Sequence, residues 1–459
     1  MTTLRTPLLV VSVSISTGLL GCTTDVPAAP GGETGESEAT STGESEDMEA
    51  VLYHEHVRPI LAQHCGACHT PGSIGPFALD DYEQARTWGE AIAASMVART
   101  MPPFPVNNDG ACNTFTNARW VSDEDIETVV AWVDAQYPIG DDSIPAPPRP
   151  EPPRLEGDVS VLSLPAYQPQ MSAEHGGFED YHCFLIDMEL DAPRFITGFD
   201  VEAGQPQMVH HVLGFRVDPD LLGNGAAMAA LDAQSPDVPG WDCFGVAGED
   251  VLPSGVPVKW APGSGAVSYP AGTGMRIDPG DVVVVQVHYD LASGTDVDET
   301  KVLLSLTDEV ERQAHQTLWD PFLFSGHFGN PVQLPPGEEA VTYTWDEQMR
   351  AMLELDNSPE AAAYDEIEIL GLIPHMHQRG RTMSIAFETA AGMQCGAEVD
   401  RWDFDWQGTY FLEQPISAAM TDRVHVDCEW STLGESEPVL PGFGTDDEMC
   451  LVGVMFAPR

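Results

Sequence analysis

Apolar positions change their spacing several times along the chain, and each change marks a different kind of segment. Residues 7–20 form an apolar run with serines and a threonine inside it, preceded by Arg5 and closed by Gly21-Cys22. From 23 to 49 the chain is Gly, Ser, Thr, Pro and acids, with too little apolar surface to offset the cost of ordering, so a flexible acidic tether is expected. Helical spacing then begins. Val51, Leu52, Val57, Ile60 and Leu61 recur near one helix face, and 82–99 reads as a second helix. Ser122 caps a third helix reaching 135, with acids at its positive end and Ile126, Val129, Val130 and Val133 as its stripe. The proline-rich 145–153 is a semi-rigid spacer.

From about 157 the pattern turns to short β-rich runs punctuated by Gly, Pro and Asp. The clearest strands are 183–190, 208–217, 281–289, 302–306, 340–345, 367–373, 382–388, 423–430 and 449–456, with 349–355 a short helix. A mainly β chain is expected: two antiparallel β-sandwiches behind a small all-α domain. The expected boundaries are a signal segment at 1–22, the tether at 23–49, the helical domain at 50–140, a linker at 141–157, and sandwiches at 158–310 and 311–459.

Charge narrows the partners. The 459 residues carry 73 acids against 19 basic residues, a formal charge of -54, which opposes binding to nucleic acid or anionic lipid through a basic face. A very soluble surface explains such acidity without any partner. The run at 7–20 is too short, and its sequel too polar, for a spanning helix, so it reads as the apolar part of an export signal. Leu19-Leu20-Gly21-Cys22 resembles the bacterial lipoprotein processing box, which implies that Cys22 becomes a lipid-modified first residue. An exported lipoprotein, periplasmic or attached at the outer membrane or cell surface, is the expected localisation, with the lipid as its membrane contact.

Cys65-Gly66-Ala67-Cys68-His69 follows the first helical stretch. This string suits two thioether links to haem with His69 as the proximal iron ligand, and in an exported chain that reading outweighs a zinc or dithiol site. Met101, in the stiff Thr100-Met101-Pro102-Pro103 loop, offers a soft distal ligand. The pattern resembles small cytochrome c domains, so covalent haem c is expected.

The β region holds His210-His211, Gln286-Val287-His288-Tyr289, His375-Met376-His377-Gln378-Arg379-Gly380 and Asp447-Glu448-Met449-Cys450. On a strand of period two, His375 and His377 share one face and make a metal half-site. Adjacent His210 and His211 point to opposite faces unless the strand twists or bends. Gln286 shares the face of His288, and Tyr289 takes the other. Neither a glycine-rich phosphate cradle nor a nucleophile elbow stands between a strand and a helix.

In their order, these four motifs resemble the copper type II ascorbate-dependent monooxygenases, which include peptidylglycine α-hydroxylating and dopamine β-monooxygenases, over roughly 160–459. The resemblance implies two jelly-roll-like sandwiches and two coppers. His210, His211 and His288 would hold an electron-transfer copper; His375, His377 and Met449 would hold the copper where dioxygen and substrate meet. A thioether ligand favours Cu(I), and the ligand set lacks the carboxylate of the usual iron triad. Gln286 would link the first copper's surroundings to solvent or substrate, and Met455 would be an ordinary core residue.

The resemblance also implies disulfides Cys183–Cys243 and Cys428–Cys450. It leaves Cys112 and Cys395 unassigned, with a bridge between helical and β domains, free thiols or other pairings all open. The family's peptide-carboxylate clamp does not carry over, because Ile373, Leu451 and Gly453 stand at its positions. The implied activity is therefore O2-dependent hydroxylation of an activated C–H bond in a small or apolar molecule. Its electrons would come through haem c, ascorbate or both, from a periplasmic donor. The rival reading is a haem and copper electron-transfer or binding lipoprotein without hydroxylase activity.

Overall fold

A nine-stranded sheet runs through the β region and crosses the expected 310/311 boundary. Its strands are, in order, Asp158–Ser163, Lys301–Thr307, Arg194–Glu202, Thr273–Ile277, Arg312–Trp319, Leu451–Pro458, Glu366–His375 and Tyr410–Ala419, with Val267–Ser268 beside Arg194–Glu202. The crossing is the parallel pairing of Arg312 to Ala314 with Thr273 to Met275; the other neighbours are antiparallel. This computed structural model describes residues 50–459 except 72, 74, 117, 150–152, 172–177, 244–246, 328–330, 354–360 and 443–445. Cys22, the apolar run before it and the acidic tether lie outside the described residues.

A smaller sheet lies over each half of the long one. Trp241–Asp242, Glu179–Asp187, Val282–Asp290, Val209–Val217 and Val258–Trp260 form a five-stranded sheet. Phe184, Val212, Val285 and Val287 from it share a core with Ile196, Val302 and Leu304 of the long sheet. Val282 to Tyr289 are all buried, so this strand is covered on both faces and reads as an apolar run interrupted by Gln286 and His288. The other smaller sheet, Val341–Gln348, Arg423–Trp430, Gly380–Thr389 and Gly392–Val399, packs Ile385, Phe387, Val424 and Val426 against Ile369, Leu372 and Val454. Leu370, Phe411, Met455 and Ala457 belong to the first core although they come from the C-terminal part. The chain is thus mainly β with mixed sheets and a few helices, and none of the described sheets closes into a barrel.

The helices follow their sequence signals. Arg58–His64 (α1), Tyr82–Val97 (α2) and Asp123–Asp134 (α3) bury Leu61, Ala85, Met96, Val129 and Trp132 together with Tyr53 and Val57. Asp81 caps α2 by accepting the Gln84 N–H at 2.9 Å, and Ser122 caps α3 by accepting that of Asp125 at 3.1 Å. They do not form a distinct all-α subdomain, because the chain between α2 and α3 leaves them. Phe104, Val106 and Phe115 sit in the C-terminal β core, and Val106 and Phe115 bridge to Val399 and Leu412. Each such burial stabilises by roughly 2 kcal/mol. Cys112–Cys395 closes this strap covalently, and Ala50–Arg459 makes one compact unit. Cys183–Cys243 and Cys428–Cys450 are also formed.

Candidate metal centres

A break in strand register builds the first centre. Val209 pairs with Tyr289, but His211 pairs with His288, so His210 is the extra residue of a β-bulge. Two residues there oppose one, which turns both histidines toward the same partner and removes the regular-strand objection. His210 Nδ1 lies 3.1 Å, and His211 Nδ1 3.2 Å, from His288 Nδ1. Among the described residues this trio is the cluster of His, Cys or acid side chains able to hold a metal, its ligand atoms within 4.8 Å of one another.

The donor set fits a metal ion. One proton on His288 Nδ1 cannot point at two acceptors, whereas a cation satisfies three converging lone pairs; three imidazoles suit copper or zinc. Tyr181 stacks on His288 with ring centroids 4.0 Å apart, and Glu179 Oε1 lies 3.8 Å from His288 Nε2. Burial, then the neighbouring His210 and His375, push the His211 pKa down to about 3, so its ring is neutral at ordinary pH and ready to ligate. Gln286 is 1% exposed and its amide donates to the Cys243 carbonyl at 2.5 Å. That enclosure differs from the solvent link expected of it: the disulfide loop covers its strand face. Tyr289 is buried on the other face, its hydroxyl donating to Asp298 at 3.1 Å.

The second centre lies at a regular strand end. His375 pairs with Leu451, the last pair of this ladder, and just beyond it His377 meets the Asp447 carbonyl and the Glu448 carboxylate. Met449 precedes its strand, which begins at Leu451 rather than 449. The rings of His375 and His377 stand 5.1 Å apart, centroid to centroid. His375 Nδ1 meets Gln407 Oε1 at 2.5 Å, and His377 Nδ1 meets the Asp447 carbonyl at 3.1 Å. Such acceptors fix each ring and leave Nε2 for a metal. Burial and the neighbouring His377 push the His375 pKa down to about 3, partly offset by Gln407.

Glu448 organises this centre from beneath. It is fully buried and accepts from the backbone N–H groups of His377 at 3.0 Å, Arg379 at 2.7 Å and Met449 at 3.3 Å, and from the Trp430 indole at 2.8 Å. Burial still pushes its pKa up to about 7 against those donors. Met449 is buried, and Met455 lies in the first core as an ordinary packed residue. Sequence reading missed Tyr181, Gln407 and the role of Glu448. Glu448 alone had a signal, its place beside Met449.

At the CxxCH motif, Cys65 and Cys68 are unbridged thiols, and burial pushes that of Cys65 up to about 12. His69 Nδ1 meets the Phe77 carbonyl at 3.0 Å, leaving Nε2 for iron. Two unbridged thiols and an oriented imidazole fit covalent haem. Met101 is 41% exposed on the turn after α2.

Comparison with known proteins adds descent to this geometry. Residues 340–459, which contain His375, His377 and Met449, match the family model described as copper type II ascorbate-dependent monooxygenase, C-terminal domain. The chain is 24% identical over 267 residues to DBH-like monooxygenase protein 1 of Homo sapiens, covering 56% of this chain and 41% of the relative. It is 25% identical over 260 residues to DBH-like monooxygenase protein 2 of Mus musculus, covering 55% and 38%. Peptidyl-glycine alpha-amidating monooxygenase A of Xenopus laevis is 23% identical over 285 residues, covering 61% and 26%. The chain thus shows homology to this copper type II family while spanning at most 41% of the length of these relatives. A likeness to the structure of infectious bursal disease virus Gt strain, at 8% identity and a TM-score of 0.17 over 67% of this chain and 74% of that one, carries no argument.

Proposed function

We propose that this chain is a copper- and O2-dependent monooxygenase that hydroxylates an activated C–H bond of a small or apolar substrate. The bulge that brings His210, His211 and His288 together is the observation that carries the reading. These three residues would hold one copper, and His375, His377 and Met449 a second. Copper in these ligand sets supplies dioxygen binding and one-electron redox chemistry. The jelly-roll-like character of the two sandwiches belongs to the same proposal.

The chain's own contribution is orientation and exclusion. Gln407 and the Asp447 carbonyl hold the Nδ1 sides of His375 and His377. Glu448 fixes the backbone that carries His377 and Met449. Ile373 and Gly453 are cross-strand partners, and a Cβ on Gly453 would come within 2.8 Å of both Ile373 Cδ1 and Leu318 Cδ2. Neither position offers a group that grips a carboxylate, which favours an apolar substrate over a peptide terminus.

Cys65, Cys68 and His69 would hold haem c, with Met101 as its distal ligand. Electrons would enter there from a periplasmic donor, or at copper from ascorbate. Cys22 would anchor the exported chain by lipid. The unbridged CxxC thiols also favour a second reading, a haem and copper electron-transfer lipoprotein without hydroxylase activity.

Substrate-dependent O2 uptake by the metal-loaded protein and its His375→Ala variant separates the two. Loss of uptake with an unchanged haem spectrum supports the monooxygenase. Haem without stoichiometric copper in the purified, copper-loaded protein overturns it.

A further inference from the structure

Of three consecutive residues, the outer two each touch a histidine site and the middle one meets a side chain that reaches the CxxCH motif. Asp405 Oδ1 lies 3.7 Å from His210 Nε2 of the first histidine site. Gln407 Oε1 lies 2.5 Å from His375 Nδ1 of the second. Between them, the Trp406 ring has the Arg119 guanidinium 5.6 Å from its centroid. Arg119 in turn reaches the CxxCH motif: its Nη1 and Cys68 Sγ both crowd the space that a Cβ on Gly263 would take. That Nη1 is buried and has no hydrogen-bond partner among the described residues.

Both halves of this contact are held in place. Arg119 ends the strap locked by Cys112–Cys395, where the Thr116 N–H donates to the Phe411 carbonyl at 2.9 Å. On the other side, the Trp402 indole donates to the His377 carbonyl at 2.9 Å. The Gln407 amide donates to the Phe404 carbonyl at 2.7 Å, and the Trp406 N–H to the Asp403 carbonyl at 3.2 Å. A buried guanidinium facing an indole is a favourable cation–π arrangement that keeps the two in register.

We infer that Arg119 and the run Asp405-Trp406-Gln407 form the electron-transfer junction between the thioether edge of the CxxCH site and the two histidine sites. The inference rests on the haem and copper reading above. Electronic coupling decays steeply with the width of any gap, and the Trp406 ring, its packed cation beside Cys68 and its chain neighbours on His210 and His375, would shorten that gap. The step is a one-electron exchange with no bond made or broken. Haem held by Cys65, Cys68 and His69 would give up one electron, copper held by the histidines would take it, and an external one-electron donor, a small-molecule reductant or redox protein, would restore the haem. Arg119 and Trp406 are positioning residues here, since neither is a ligand.

The test uses the full chain loaded with haem and copper, without oxygen. The haem is photoreduced by a soluble sensitiser, and its reoxidation by Cu(II) is followed by absorbance in wild type, Trp406→Ala, Trp406→Phe and Arg119→Gln. Haem midpoint potential, copper content and Cu(II) resonance signals are measured alongside. Trp406→Ala and Arg119→Gln are expected to slow the transfer several-fold or more, at unchanged potential and copper signals. Trp406→Phe is expected to retain most of the rate. Wild-type rates in both Trp406→Ala and Arg119→Gln, with both cofactors intact, overturn the inference. If Trp406→Ala misfolds or disturbs the copper signals through Gln407, Arg119→Gln alone decides. Wild-type protein lacking haem or copper overturns the underlying reading, and this inference with it, and is recognised before any rate is taken.

Discussion

The two histidine sites are built by opposite means. At His210, His211 and His288 a backbone irregularity does the work: one extra residue in a strand pair makes three imidazoles converge, with Tyr181 stacked beneath. At His375 the strand ends in unbroken pairing from Gly371 on, His377 follows just past that end, and the rings are aimed by Gln407 and the Asp447 carbonyl from outside it. A site made by a bulge needs little beyond its sheet. A site made at a strand end depends on every segment that steers it, and Glu448 ties those segments together.

Glu448→Ala breaks this contrast hardest. It strips an acceptor from the buried N–H groups of His377 and Met449, the half-buried N–H of Arg379 and an indole, and is expected to cost about 3 kcal/mol or more through the donors left unsatisfied. Chemical denaturation reads that loss, and metal analysis is expected to show the second site emptied and the first retained. Replacing Cys428 and Cys450 together by Ser is expected to cost about 2–4 kcal/mol and to weaken metal binding at the second site alone. Equal loss at both sites in either variant contradicts the separation. His211→Ala is expected to change the stability of the metal-free protein by about 1 kcal/mol or less and to remove the first metal only.

The smallest effect is a pH slope. Burial pushes the Asp320 carboxyl up to about 6, although it accepts from the N–H groups of Leu323 and Cys450. The folded chain therefore keeps this proton longer than the unfolded chain does. Its stability contribution is fully present below the ordinary carboxylate pKa and is lost as pH rises through about 6. Asp320→Asn is expected to flatten the fall between those limits when denaturation midpoints are compared across that range. An unchanged slope removes Asp320 from the account.

What could be read from the chain follows from where the physics is local. The helices carry their own period and caps, so α2, α3 and the Ser122 cap were expected. The strand carrying His288 is apolar apart from Gln286, His288 and its terminal Asp290, and those bearing His210 and His375 are largely apolar. Arg312–Trp319 was invisible because its buried His315, Gln316 and Thr317 are polar, each held by a distant partner: Tyr364, the Val256 N–H and the Met352 carbonyl. That hidden strand joins the two expected sandwiches into one sheet. The bulge at His210 was equally hidden, since register belongs to two strands at once. The strap residues Phe104, Val106 and Phe115 lack any period, and their core lies almost 300 residues further on, where Cys395 meets Cys112. Gln407 reaches His375 from a loop that shows no pattern of its own.

The central proposal is that the site of His210, His211 and His288 and the site of His375, His377 and Met449 each hold one copper. Copper content and electron paramagnetic resonance of the copper-loaded full chain test it directly. Two coppers per chain are predicted, with two mononuclear Cu(II) signals, one abolished by His211→Ala and the other by His375→Ala. A chain that holds no copper, or one whose only copper signal survives His375→Ala unchanged, contradicts it.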